Sequence, residues 1–77
     1  MKKTKVRYAI VIEKAESNYA AYVPDLPGCV AAADTIEETE KLIRGAIEFH
    51  IRGMIEDGLE IPQPVSLARE VEIRQPA

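Results

Sequence analysis

Between residues 5 and 14 apolar and polar positions alternate, with Val6, Tyr8, Ile10 and Ile12 on one face and Arg7, Ala9, Val11 and Glu13 on the other. A period of two predicts a strand with one buried face. Glu16, Ser17 and Asn18 supply turn-formers, and residues 19–23 are again aromatic or β-branched at their ends, so the two segments read as a hairpin. Pro24 stops the second strand because it has no amide to donate. Residues 24–28 form a compact loop in which two prolines preset φ and Gly28 is free to take a positive φ. Residues 29–33 read as a third, short strand.

Thr35 followed by Glu38 is a capping-box pattern, in which each side chain satisfies an amide at a helix start, so a helix begins near Ile36. At 100° per residue, Ile36, Thr39, Ile43, Ala46, Ile47, His50, Ile51 and Met54 share one broad stripe, while Glu37, Glu38, Lys41, Arg44, Glu48 and Arg52 lie elsewhere. Gly58 stands where a left-handed residue closes a helix, and Pro62 and Pro64 prevent its continuation. Further on, Val71 and Ile73 alternate with Glu70, Glu72 and Arg74, which predicts one more strand at a sheet edge. The fold class expected is α+β: a small antiparallel sheet in the order β-β-β-α-β, with one helix packed on one face.

The chain has 77 residues, 47% apolar and 30% charged, which is the composition of one small globular domain. A core of that size is marginally stabilising, and the single cysteine, Cys29, excludes an internal disulfide. With no companion ligands at zinc spacing either, self-association is the favoured remedy. One helix leaves half the sheet, and the helix glycines Gly45 and Gly53, uncovered, so a homodimer or higher homo-oligomer is expected, with the strand near Val71 and Ile73 pairing across subunits. No apolar run approaches the roughly 20 residues that span a bilayer. The basic start at Lys2, Lys3 and Lys5 is not followed by a signal-peptide core and cleavage site, so the protein is expected to be cytoplasmic, without a membrane partner.

Net charge is −3, unevenly spread: residues 34–60 carry eight acids against Lys41, Arg44 and Arg52, while Lys2, Lys3, Lys5 and Arg7 stand at the start without an acid. The acidic middle argues against broad nucleic-acid binding, which neutralises phosphates, and suits a basic protein partner.

Candidate chemistry is sparse. His50 falls on the apolar stripe and reads as a packed histidine, since no nucleophile or orienting acid is placed beside it. Cys29 reads as a half-buried strand thiol. Glu13, Asp25 and Asp34 would have to converge to bind magnesium for a ribonuclease-H-like nuclease, the alternative reading, and nothing in their spacing brings them together. Asp25 also suits hydrogen bonding to amides of its own turn, and Asp34 suits helix capping. There is no phosphate loop, dinucleotide fingerprint or nucleophile elbow. No cofactor, metal site or catalytic residue is expected.

Three motifs in order carry a family resemblance. The run Tyr22, Val23, Pro24, Asp25, Leu26, Pro27, Gly28, Cys29 is followed by the helix start Asp34, Thr35, Ile36, Glu37, Glu38 and by the exit Asp57, Gly58, Leu59, Glu60, Ile61, Pro62, Gln63, Pro64. Together they resemble the HicB-like antitoxin family over residues 8–64. The resemblance implies a partial ribonuclease-H-like fold, self-association, no enzymatic activity, and occlusion of a small basic HicA-type toxin that cleaves mRNA. It makes residues 1–77 a single HicB-like domain, with a basic tail over 1–4 and a C-terminal strand and tail over 65–77. Family members often append a DNA-binding domain; the 17 residues after Glu60 do not house one, so direct DNA binding by this chain is not expected. Pro24, Asp25, Leu26, Pro27 and Gly28 of the loop, with Asp34, are the candidate partner-binding residues. An interaction module with a different protein target is the remaining alternative.

Overall fold

A computed structural model describes residues 5–76; the expected basic tail over 1–4 lies outside the described residues. Strands β1 (Val11–Lys14), β2 (Tyr19–Tyr22) and β3 (Val30–Ala33) precede one helix, α1 (Ile36–Glu56). The strands form an antiparallel sheet in the order β1-β2-β3, so both β1 and β3 are edges. Residues 15–18 close the hairpin, with the Ala15 amide donating to the Asn18 carbonyl at 2.8 Å.

Register decides which side chains meet. Ile12, Ala21 and Ala31 align across the three strands, as do Val11, Tyr22 and Val30 on the opposite face. The first row faces the helix, and its buried centre is Ala21, Val23, Leu26, Cys29 and Ile43, flanked by Tyr8, Ile10, Ile12, Ala46 and Ile47. The second row forms an open face on which Tyr22 and Val30 are exposed.

Helix α1 begins and ends where the sequence places it. Thr35 is the N-cap, its Oγ1 accepting from the Glu38 amide at 3.0 Å. The reciprocal half of the box differs from expectation, because the Glu38 carboxylate accepts from the Thr35 hydroxyl and not from an amide. At the other end Gly58, at φ +72°, donates to the Ile55 carbonyl, and Leu59 donates to Met54, the double closure of a Schellman motif. The expected stripe faces the core at its centre, where Thr39 and Ile43 are buried and Ala46, Ile47, His50, Ile51 and Met54 half-buried, but Ile36 at its start is exposed. Thr39 is tolerated there because its hydroxyl donates back to the Thr35 carbonyl at 2.7 Å.

Two elements depart from the expected pattern. The first strand is shorter, since residues 5–10 lie outside the ladder although Tyr8 and Ile10 still pack on the core. The reason is Pro24: continuing the register places it opposite Ala9, where it offers no amide and the chain is already turning. The second departure is the strand expected over 70–74, which does not form within the chain. Residues 59–76 carry no regular secondary structure, and Val65, Leu67, Val71 and Ile73 are 75–85% exposed. Alternation makes a segment competent to be a strand, but a ladder needs a neighbouring edge, and here the chain runs past its own sheet. The molecule is accordingly elongated, 56 × 26 × 20 Å with a radius of gyration of 15.0 Å, against about 11–12 Å for a compact chain of this length. No helix among the described residues is long and apolar enough to cross a membrane.

Candidate functional site

The loop between β2 and β3 is two consecutive turns, each with proline at its second position. The Leu26 amide donates to the Val23 carbonyl at 3.1 Å across Pro24 and Asp25, and the Cys29 amide donates to Leu26 at 3.1 Å across Pro27 and Gly28. Gly28 sits at φ +85°, the third position of a type II turn, which an L side chain rarely adopts. Leu26, between the turns, is buried in the core and pins the loop to the domain. Pro24, Pro27 and Gly28 remain exposed around it.

Asp25 is engaged with a distant segment and not with its own turn. Its Oδ2 accepts from the amides of Val65 and Ser66 at 3.1 and 3.0 Å, and its Oδ1 accepts from the Ser66 hydroxyl at 3.0 Å. These donors, the Ser66 amide foremost, favour the ionised carboxylate and hold it below its usual range. Beside it, burial first and the Asp25 charge second push the Tyr8 hydroxyl above its usual value. That hydroxyl donates to the Pro62 carbonyl at 2.6 Å. Tyr8 and Asp25 thus clamp the chain leaving α1 onto the body of the domain.

The exposed loop and Asp34 lie at opposite ends of one edge strand. Gly28 leads into β3 and Asp34 follows it, so the candidate residues frame a free sheet edge about 13 Å long. The same separation bears on the nuclease reading. Glu13 lies one strand beyond β2 near the Asp34 end of the sheet, whereas Asp25 lies past the other end, so the three carboxylates do not converge. Among the described residues no three His, Cys, Asp or Glu side chains gather where they could hold a metal ion. Cys29 is buried, which pushes its thiol above its usual value and away from the reactive thiolate.

Two surface features escape the helical stripe. Leu42 and Phe49, two turns apart, are exposed on the outer side of α1, Phe49 to 76%. Their spacing of seven is the only signal that would have singled them out. The other feature is a groove of about 920 Å³ between residues 6–10 and the helix, lined by Val6, Tyr8, Ile10, Ile47, Ile51 and Ile55 among others. It exists because α1 packs chiefly over β3 and β2 and reaches β1 least.

An antiparallel three-stranded sheet with one helix, and two turned prolines leading into an edge strand, define a small α+β domain. Comparison with known proteins gives that class a family. The profile described as HicB_like antitoxin of bacterial toxin-antitoxin system matches residues 8–76. An uncharacterized 14.9 kDa protein from the rep-hol intergenic region of Haemophilus phage HP1 is 48% identical over 56 residues, covering 73% of this chain; the chain spans only 42% of the phage protein's length. A UPF0150 protein of Synechocystis is 31% identical over 67 residues, covering 86% of this chain and 85% of its own. Among solved structures, a chain of a HicA3 and HicB3 toxin-antitoxin complex is 32% identical, with a TM-score of 0.64 over 74% of this chain and 66% of that one. The chain belongs to the HicB-like antitoxin family.

Proposed function

We propose that the protein is a non-enzymatic antitoxin that binds a small basic HicA-type toxin and occludes its RNA-binding surface in the cytoplasm. The observation that carries this reading is the shared fold and 32% identity with a chain of the HicA3 and HicB3 complex. The physical logic agrees with it. The exposed edge of β3 offers backbone groups for strand addition, and Asp34 with the acids at the start of α1, Glu37 and Glu38, supplies charge opposite to a basic partner. Pro24, Pro27 and Gly28 form the rigid rim of that edge, Leu26 holds the rim in place from beneath, and Asp25 ties it to the C-terminal segment. A rigid rim lowers the ordering cost of docking.

The test is stoichiometric inhibition. The purified chain is titrated into an RNA-cleavage assay containing the HicA-type protein of the same genome; cleavage falls to background near one antitoxin chain per toxin. Undiminished cleavage with no complex on gel filtration overturns the reading. Magnesium titration with an RNA–DNA hybrid tests the nuclease alternative, and no cleavage by the chain alone is expected.

A further inference from the structure

We propose that Leu42 and Phe49 form an apolar ledge over the free edge of β3, and that the partner segment docking there is an extended strand with apolar side chains toward α1 and a lysine or arginine beside Asp34 and Glu38. The proposal deepens the antitoxin reading and rests on it: it specifies what the toxin presents to this edge.

Leu42 and Phe49 are 52% and 76% exposed, and Phe49 is the only phenylalanine in the sequence. Their place follows from the helix period. The side of α1 toward residues 6–10 carries Glu40, Ile47, Ile51 and Ile55, and the row turned to the core is Thr39, Ile43 and Ala46. At 100° per residue, Leu42 and Phe49 fall on the flank opposite the first group, the part of the outer surface that overhangs β3. Only Asp34 and Thr35 separate β3 from α1, and the helix packs chiefly over β3, so it runs back along that strand. At about 1.5 Å per residue, Leu42 lies about 9 Å and Phe49 about 20 Å from the helix start, against about 13 Å of strand. Leu42 therefore stands at the level of the strand, and Phe49 at the level of the Pro27 and Gly28 rim.

The shape suits one added strand. Such a strand lies about 4.8 Å beyond β3, within reach of a helix whose radius with side chains is about 5–6 Å. Toward the helix β3 presents only Ala31 and Ala33, both half-buried, which leaves the space beneath the ledge to the side chains of the newcomer. One turn to either side of Phe49 stand Gly45 and Gly53, where a Cβ would meet nothing within 4 Å. Recesses thus adjoin the ring on both sides.

Charge decides the occupant. Asp34 and Glu38 stand at the end of the edge where the helix begins, while Lys41 and Arg52 lie further round α1, away from the sheet. A second copy pairing β3 against β3 brings no cation to those acids, since residues 15–40 hold neither lysine nor arginine. A basic protein does, and its strand gains backbone pairing, two apolar anchors and a charge contact together.

The test is surface plasmon resonance with the HicA-type protein of the same genome and variants of the full chain. Leu42→Ala combined with Phe49→Ala weakens binding by roughly 100-fold or more, through faster dissociation, as expected when two anchors are lost. The sedimentation mass of the chain alone stays unchanged, and its melting temperature moves no more than for other surface substitutions. Val30→Thr, on the other face of the same strand, leaves the affinity unchanged. With fluorophenylalanine incorporated, the single fluorine resonance reports on Phe49 alone and shifts when unlabelled toxin is added. A complex whose affinity the double variant leaves unchanged, or whose fluorine resonance stays in place, overturns the ledge while the antitoxin reading stands. A loss at Val30 as large as that of the double variant moves the partner to the open face, and a change in the mass of the chain alone makes the ledge a contact between copies; either overturns the proposal. No complex with the unaltered chain overturns both readings.

Discussion

Asp25 shows how one carboxylate can join two parts of a small fold. It accepts three hydrogen bonds from Val65 and Ser66, tying the loop to the C-terminal segment. Its folded value lies below the ordinary one, and the linkage sign follows. The stabilisation is fully present above the unfolded carboxylate's value and is lost as pH falls through the lowered folded value. An acid titration followed by amide resonances should show Val65 and Ser66 moving together at a pH below that of a free aspartate, and Asp25→Ala should place them at their released positions at neutral pH. Thr35 is a simpler case. Removing its Oγ1 leaves the Glu38 amide uncapped, so Thr35→Ala should cost about 1 kcal/mol in urea unfolding. The cap was legible from residue types three positions apart. The Asp25 partners were not, because a carboxylate 40 residues from its donors leaves no local pattern.

Among the elements, the helix carries most of the core. Ile43 is buried at the centre of the stripe, whereas Phe49, two-thirds of a turn round, is exposed. Ile43→Ala should therefore cost about 2–5 kcal/mol in thermal or chemical unfolding, a large share of what a domain this size possesses, and Phe49→Ala less than about 0.5 kcal/mol. Equal losses at both positions would mean that Phe49 is covered in solution. Period and caps made the helix readable to the residue, since both signals are local. The strands were readable as patterns but not as pairings. Residues 5–10 alternate as well as β1 does, yet Pro24 ends the ladder before them, and residues 70–74 alternate with no edge of their own chain to meet. Strand length is decided by the neighbour, which is why the three-stranded core was legible and its limits were not.

At the scale of the molecule, the two sheet edges are unequal. Beside β1 lies a groove whose isoleucines are interspersed with Arg7, Glu40, Arg44 and Glu48; β3 has the helix packed closely behind it and acids at its far end. An acid-framed edge suits a partner held through exposed charge pairs, which are screened within about 10 Å at 0.1 M salt. On the antitoxin reading, toxin affinity should fall as ionic strength rises, mainly through slower association. Asp34→Lys should lower the association rate by about 10-fold and flatten its salt dependence, without changing the melting temperature beyond the effect of a surface substitution. Surface plasmon resonance across a salt series reads both quantities. A toxin affinity indifferent to salt and to Asp34 would move the contact away from the β3 edge, for instance to the open face where Tyr22 and Val30 are exposed.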